Sequence, residues 1–187
     1  MRIPDEGGDI HMLASGVVYE DSWMRLRRDE IERSDGSRGT YAFVEKPDFA
    51  VVIPAENDGF HLVEEYRYPI GRRTWSFPQG GWPSGQTGSP VELARLELSQ
   101  ETGLRAGALT RLGFLHCAHG FSSQGGYYFV ATELEPGRPQ REHEEQDMRQ
   151  AWVPRARFEQ MIGEGLITDD STLAAYALLL ISERGEE

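Results

Sequence analysis

Residues 78–104 read PQGGWPSGQTGSPVELARLELSQETGL, a loop rich in glycine and proline that leads into a helical pattern. Ser89 is placed to cap the helix, with Pro90 at its first position and Glu92 at its third, which is the form of a capping box. Residues 93–102 favour a helix, and Gly103 is placed to end it. A loop followed by a capped helix is therefore the central unit of the predicted fold.

Two glutamates lie four residues apart on this predicted helix. Glu97 and Glu101 are expected on one face, with their Cβ atoms roughly 5–6 Å apart. Two carboxylates at that spacing repel each other unless a cation lies between them, and hard divalent ions accept such oxygen ligands. The helix start after the loop favours anions. The pattern fits a metal–phosphate site, and the alternative is a solvated helix face that carries two glutamates.

The rest of the chain indicates strands and two further helices. Residues 16–63 alternate between short strands and strong turns, as antiparallel sheets do. Further strands are predicted near residues 109–117, 127–134 and 148–153, and helices at residues 155–163 and about 171–183. We expect one α+β domain over residues 1–187, with residues 1–15 flexible and the N-terminal strands within residues 16–53.

Composition excludes several classes of protein. The 187 residues include 31 Asp plus Glu against 19 Lys plus Arg, which gives a formal charge of −12. Such acidity argues against nucleic-acid binding, because that affinity comes mainly from clustered cations. No apolar run approaches the length of a membrane span, and no secretory leader is expected. The single cysteine, Cys117, excludes an intrachain disulfide. We expect a cytoplasmic protein that binds neither membranes nor nucleic acid.

The loop and helix resemble the signature of the Nudix hydrolases, G-x5-E-x7-R-E-U-x-E-E-x-G-U, in which U is a bulky aliphatic residue. Six fixed positions match, at Gly80, Glu97, Leu98, Glu101, Gly103 and Leu104. Three positions depart, at Gln86, Leu96 and Gln100, and nine residues separate the first two where the signature has seven. Flanking segments resemble the ADP-ribose pyrophosphatase branch, at residues 19–23, 63–69, 74–80 and 166–172.

The resemblance implies an α/β/α sandwich with a mixed sheet, assembled as a homodimer to which the N-terminal strands contribute. It also implies hydrolysis of a pyrophosphate bond in ADP-ribose or a related nucleoside-diphosphate sugar, with Mg²⁺ or Mn²⁺ as the cofactor. A water molecule would attack phosphorus, and a carboxylate would take its proton. An acidic protein can bind a diphosphate in this way, because the bound cations reverse the local charge.

The resemblance also implies roles for individual residues. Glu97, Glu101 and the carbonyl of Gln79 match metal ligands, and Glu101 also counts among the catalytic residues. The general base lies in an acidic loop, where Glu144 fits best and where Glu142 and Glu145 are the alternatives. Arg67, Trp23 and Gly80 match substrate-binding positions, with Trp23 stacking on a nucleobase across a dimer interface.

The departures from the signature keep a second hypothesis open. Gln86 and Gln100 each lose a negative charge, and Leu96 removes an arginine that orients neighbouring glutamates. These changes favour a catalytically weakened protein that binds or senses a nucleotide with the same pocket. A dimeric scaffold without a ligand is the third possibility.

Overall fold

The computed structural model describes residues 8–82, 86–141 and 145–185, which contain ten strands and three α-helices. The strands are β1 (Ile10–Glu20), β2 (Arg25–Arg33), β3 (Arg38–Glu45), β4 (Phe49–Glu56), β5 (Gly59–Arg67), β6 (Arg72–Ser76), β7 (Gln79–Gly81), β8 (Arg105–His116), β9 (Gly125–Glu135) and β10 (Arg149–Pro154). The helices are α1 (Pro90–Thr102), α2 (Arg155–Gly163) and α3 (Asp170–Gly185). The chain divides into two compact units.

The first unit comprises the described residues up to Pro47 together with residues 116–124. Its sheet has the order β1-β2-β3, and both pairs are antiparallel, which confirms the expected N-terminal antiparallel strands. The β2–β3 turn contains Gly36 with φ at +78°, a conformation that favours glycine. β1 begins at Ile10, ahead of Gly16, where the sequence pattern first indicates strands, and all its residues are exposed.

The second unit contains a mixed sheet of seven strands. The main path is β10-β5-β4-β9-β8, with β6 paired to β5 and β7 paired to β4. β4 runs antiparallel to β5 and β7 but parallel to β9, so the sheet is mixed as expected. β6 and β7 flank Pro78, and β7 lies within the stretch that the sequence assigns to a loop.

β4 is the central strand of the core. Ala50 and Val52 are fully buried and pack with apolar side chains of α1, among them Leu93 and Leu98. Val51 and Ile53 alternate with them and are equally inaccessible to solvent, so both faces of β4 are covered. α3 also contacts β4. This layering of helices on a mixed sheet confirms the predicted α+β architecture.

A cluster of aromatic rings joins α2 and α3 to the strands. The Phe158 ring stacks on Phe77 at 5.1 Å between centroids and meets Phe60 and Tyr176 edge-on at 5.3 and 4.9 Å. Arg155 covers the Phe60 ring and forms a two-pronged ion pair with Glu183 of α3. These contacts pack α2 and α3 against β5 and against Phe77, which lies between β6 and β7.

The helix predictions agree well with the structure. α1 begins at Pro90 with the complete Ser89–Glu92 capping box, and Gly103 ends it in the left-handed conformation. α2 spans residues 155–163 as predicted, and α3 begins at Asp170, one residue before the expected start. Among the described residues, no helix has the length and apolarity needed to cross a membrane.

Candidate active site

Helix α1 carries the two glutamates at the centre of the candidate site. Its apolar side is anchored by Leu93, Ala94 and Leu98, which are almost inaccessible to solvent. The same packing buries Glu97 and Glu101, whose residues are only 5 % and 3 % exposed. A solvated helix face would leave both carboxylates in water, so their burial excludes that alternative.

The buried carboxyl of Glu101 lies in a strongly unfavourable environment for a negative charge. Burial raises its pKa well above the ordinary value, and the charges of Glu97, Glu145 and Glu65 raise it further. The N–H of Gln79 donates to Oε1 at 3.4 Å and opposes this effect only weakly. Within the part of the chain that the structure describes, Glu101 Oε2 has no hydrogen-bond partner. Buried polar atoms normally have a partner, so this oxygen can accept a water molecule or a cation.

Strand β7 places Gln79 and Gly80 against these carboxylates. The side-chain amide of Gln79 donates to Asp169 Oδ2 at 2.9 Å, while its backbone N–H faces Glu101. Gly80 lies under Glu97, and a Cβ built there would be 2.5 Å from Glu97 Oε2. A side chain at position 80 would therefore displace the Glu97 carboxylate, although the φ angle of Gly80 is not one that demands glycine.

Strand β5 adds a third carboxylate, that of Glu65, and the positively charged side chain of Arg67. Glu65 is half-buried and pairs with Arg67 at 2.5 Å. Burial raises the pKa of Glu65, Arg67 lowers it, and the charges of Glu145, Asp147 and Asp169 raise it again. Arg67 is itself substantially exposed, so its guanidinium group is accessible to an anion.

The acidic loop after β9 is described only in part. Glu142 and Glu144, including the predicted base, lie outside the described residues. Glu145 is half-buried, and its charge acts on both Glu101 and Glu65. Arg141 donates through Nε to the carbonyl of Glu101 at 3.1 Å and through Nη1 to the carbonyl of Met148. Among the loop acids that the structure describes, Glu145 is thus the one with an electrostatic link to Glu101.

Trp23 belongs to the first unit, in the turn between β1 and β2. Asp21 organises this turn, since its Oδ1 accepts the N–H groups of Trp23 and Met24 at 2.7 and 2.8 Å, which lowers the pKa of Asp21. The Trp23 residue is 62 % exposed and lines a cavity of about 380 Å³ whose charged residues are Arg25, Lys46, Glu20, Asp21 and Glu45.

The donor set around α1 fits a divalent cation. The orphaned Oε2 of Glu101 and the glycine cradle beneath Glu97 both fit an oxygen-coordinated ion. In residues 8–82, 86–141 and 145–185, no three His, Cys, Asp or Glu side chains already form a complete metal-binding group. The two carboxylates of α1 are oxygen donors of the kind that suits an ion that keeps several waters.

Two residues near the site escaped the sequence analysis. Glu65 stands in a segment noted only for its family resemblance, and its burial depends on partners distant in the chain. Asp169 directly precedes α3, a position at which Asp indicates a helix cap, and this local signal would have found its capping role. Nothing local indicates its bond to Gln79, which lies 90 residues away.

Comparison with known proteins identifies family models and relatives that match most of this chain. Residues 45–174 match the family model described as NUDIX domain, and residues 10–44 match the nucleoside diphosphate sugar hydrolase N-terminal domain. The chain is 33 % identical over 169 residues to an ADP-ribose pyrophosphatase of Mycobacterium tuberculosis, covering 89 % of this chain and 81 % of the relative. It is 26 % identical over 170 residues to a methanol dehydrogenase activator of Bacillus methanolicus, covering 89 % and 90 %.

A solved structure shares the fold. It is described as an ADP compounds hydrolase, and it matches with a TM-score of 0.82 at 22 % identity, covering 95 % of this chain and 96 % of the other. Nudix hydrolases generally use divalent metal ions, in agreement with the donor set around Glu97 and Glu101. The family match over most of the chain, together with the relative at 33 % identity, shows that this protein is a hydrolase of the Nudix family.

Proposed function

We propose that this protein hydrolyses the pyrophosphate bond of ADP-ribose or of a related nucleoside-diphosphate sugar with Mg²⁺ or Mn²⁺. The products would be a nucleoside monophosphate and a sugar phosphate. The observation that carries the proposal is the buried pair Glu97 and Glu101, in which Oε2 of Glu101 has no donor among the residues that the structure describes. The similarity to proteins named ADP-ribose pyrophosphatase supports the choice of substrate class.

The chain's own groups would hold the cation and the reacting water. Glu97, Glu101 and the carbonyl of Gln79 would bind the ion, which when bound would neutralise diphosphate charge and acidify a water molecule. A carboxylate of the acidic loop would accept the proton of that water. Glu144 remains the predicted base, and Glu145 is the described alternative because its charge acts on Glu101.

Substrate binding would use Arg67 and Trp23 directly and Gly80 indirectly. Arg67 offers an accessible guanidinium group held near the acidic side chains by Glu65, which suits a phosphate oxygen. Trp23 would stack on the base of a nucleotide held by a second copy of the chain. Gly80 would act by leaving room for the Glu97 carboxylate, so its contribution to substrate binding would be indirect.

A catalytically weakened nucleotide-binding protein is the second candidate function. The amides of Gln86 and Gln100 and the apolar Leu96 favour it, since each removes a charged group of the signature. A relative named as an activator of another enzyme is compatible with a binding role. Thermal stabilisation by ADP-ribose in the absence of hydrolysis would support this candidate over the enzyme.

The first prediction concerns hydrolysis itself. Glu101→Gln and Glu97→Gln should each lower metal-dependent kcat/KM by more than about 100-fold, because even outer-sphere partners of a metal site contribute 10–100-fold. ADP-ribose, nucleotide sugars and dinucleotides should be assayed with Mg²⁺ and Mn²⁺. Glu135→Gln, which changes a highly exposed carboxylate, serves as the control. Absence of metal-dependent turnover on every substrate, or unchanged turnover in Glu101→Gln, would contradict the proposal.

The second prediction is a pH-dependent effect of Glu101 on stability without metal. Its folded-state pKa is raised, so the folded chain binds the proton more tightly than the unfolded chain, and stability is lost as the pH rises through that pKa. Glu101→Gln should therefore raise the Tm of the metal-free protein, increasingly so as the pH rises above the ordinary pKa of a glutamate. Added Mn²⁺ should stabilise the wild type and leave the variant unchanged.

A control with the opposite sign is available on the same helix. The pKa of Glu92 is lowered by hydrogen bonds from the backbone and side chain of Ser89, so its contribution is present at neutral pH and is lost on acidification. Glu92→Gln should accordingly lower the Tm at neutral pH. A Glu101→Gln variant that is destabilised at every pH, like Glu92→Gln at neutral pH, would contradict the burial of an uncompensated charge.

The third prediction uses the neighbouring glycines of β7. In Gly80→Ala the new Cβ would overlap the Glu97 carboxylate, whereas in Gly81→Ala it would lie at an ordinary 3.7 Å from the nearest atom. Because a carboxylate is the movable end of its side chain, Gly80→Ala should fold normally but bind Mn²⁺ about tenfold more weakly. Gly81→Ala should bind Mn²⁺ like the wild type. Equal affinities in all three proteins, measured by electron paramagnetic resonance, would exclude this role for Gly80.

The fourth prediction concerns the proposed homodimer. β1 exposes six large apolar side chains, namely Ile10, Met12, Leu13, Val17, Val18 and Tyr19, and a second copy of the chain would cover such a surface. Sedimentation velocity should show a dimer at micromolar concentration. Val18→Arg should shift it towards monomers without unfolding, since Val18 is 62 % exposed. A wild-type monomer would refute the homodimer.

A further inference from the structure

The segment before helix α3 makes hydrogen bonds along β6 and up to β7. The carbonyl of Leu166 accepts the N–H of Trp75 at 3.2 Å and the hydroxyl of Thr74 at 3.1 Å. The hydroxyl of Thr168 accepts from Arg72 Nη2 at 2.8 Å. Residues 166–172 were noted in the sequence only for their family resemblance, and these contacts show that they follow the strand segment that leads to the site.

Asp169 makes two hydrogen bonds with different consequences. Its Oδ2 accepts the N–H of Thr172 at 2.8 Å, which is the bond of a helix cap. The same oxygen accepts the side-chain amide of Gln79 at 2.9 Å. A cap needs only the first bond, so the second requires a separate explanation.

The contact with Gln79 forms one link in a chain of contacts between α3 and α1. On one side of Pro78, the Phe77 N–H donates to the Thr172 hydroxyl at 3.0 Å. On the other side, Gln79 is held through its side chain by Asp169, while its own N–H donates to Glu101 at 3.4 Å. The next residue, Gly80, contacts the Glu97 carboxylate. The start of α3 thus holds the strand that faces both glutamates.

We propose that Asp169 is a positioning residue that holds Gln79, and hence β7, in register with the carboxylates of Glu97 and Glu101. The inference rests on the proposed function for the identity of the cation. Without the Asp169 bond, Gln79 keeps its pairing with Val51 of β4 but loses the side-chain restraint that sets its position relative to Glu101. The cation would then lose the preset position of its carbonyl ligand, although both carboxylates remain.

Direct Mn²⁺ binding, measured by the electron paramagnetic resonance of the free ion, tests this role on the full chain. Asp169→Ser keeps a good helix cap but is too short to reach Gln79, and Gln79→Met removes the donor amide at similar length. Each variant should weaken Mn²⁺ binding by about tenfold, the lower end of the range for outer-sphere partners. The double variant should show no further loss, because both changes remove one bond. Asp169→Asn, which retains an acceptor oxygen, should restore binding.

Thr168→Val is the matched control from the same segment. It removes the bond to Arg72 but leaves Asp169 and Gln79 unchanged, so Mn²⁺ affinity should equal that of the wild type. Wild-type affinity in both Asp169→Ser and Gln79→Met, with normal Tm values, would overturn the positioning role alone. Additive losses in the double variant would overturn it as well. A wild type that binds no Mn²⁺ would overturn the proposed function together with this inference.

Discussion

The burial of two carboxylates on one side of α1 is the constraint on which the site depends. Removing a charge from water is unfavourable by several kcal/mol unless a partner compensates, and Glu97 and Glu101 also repel each other. Apolar packing against β4 forces this burial, because Leu93, Ala94 and Leu98 occupy the same helix. The apolar packing of α1 therefore offsets the unfavourable burial of the two charges. A bound cation would remove that unfavourable contribution. A site of this kind lowers the stability of the metal-free protein, and binding of the cation raises it.

The residues around Glu97 and Glu101 also fit a bound cation. Gly80 leaves space under Glu97, and the Gln79 N–H donates to one oxygen of Glu101, while no described residue donates to the other. A second donor at that oxygen would stabilise the carboxylate and would compete with a cation. The missing hydrogen bond is thus consistent with metal binding, whereas a purely structural buried glutamate would be expected to have both oxygens satisfied.

Local signals in the sequence were sufficient for the helices but not for the site's outer parts. The capping box at Ser89 and the terminal Gly103 specify α1 because their interactions span only a few residues. The parallel pairing of β4 with β9 has no local signature, since the paired residues, such as Phe49 and Gly126, lie 77 positions apart. The hydrogen bond between Gln79 and Asp169 likewise has no local signature, since the two residues lie 90 positions apart. Glu97 and Glu101 could be named from their spacing, while their burial depended on the tertiary packing of α1.

The departures from the family signature have a different meaning once the neighbouring acids are considered. Gln86 and Gln100 lack two charges, but Glu65 of β5 and Glu145 of the loop after β9 both act on Glu101 from outside the signature. We infer that the negative charge is distributed over other elements here, so loss of signature acids does not by itself imply loss of a cation. The two remaining glutamates are the ones that the fold buries, and burial, rather than the overall charge of −12, concentrates the potential at this point.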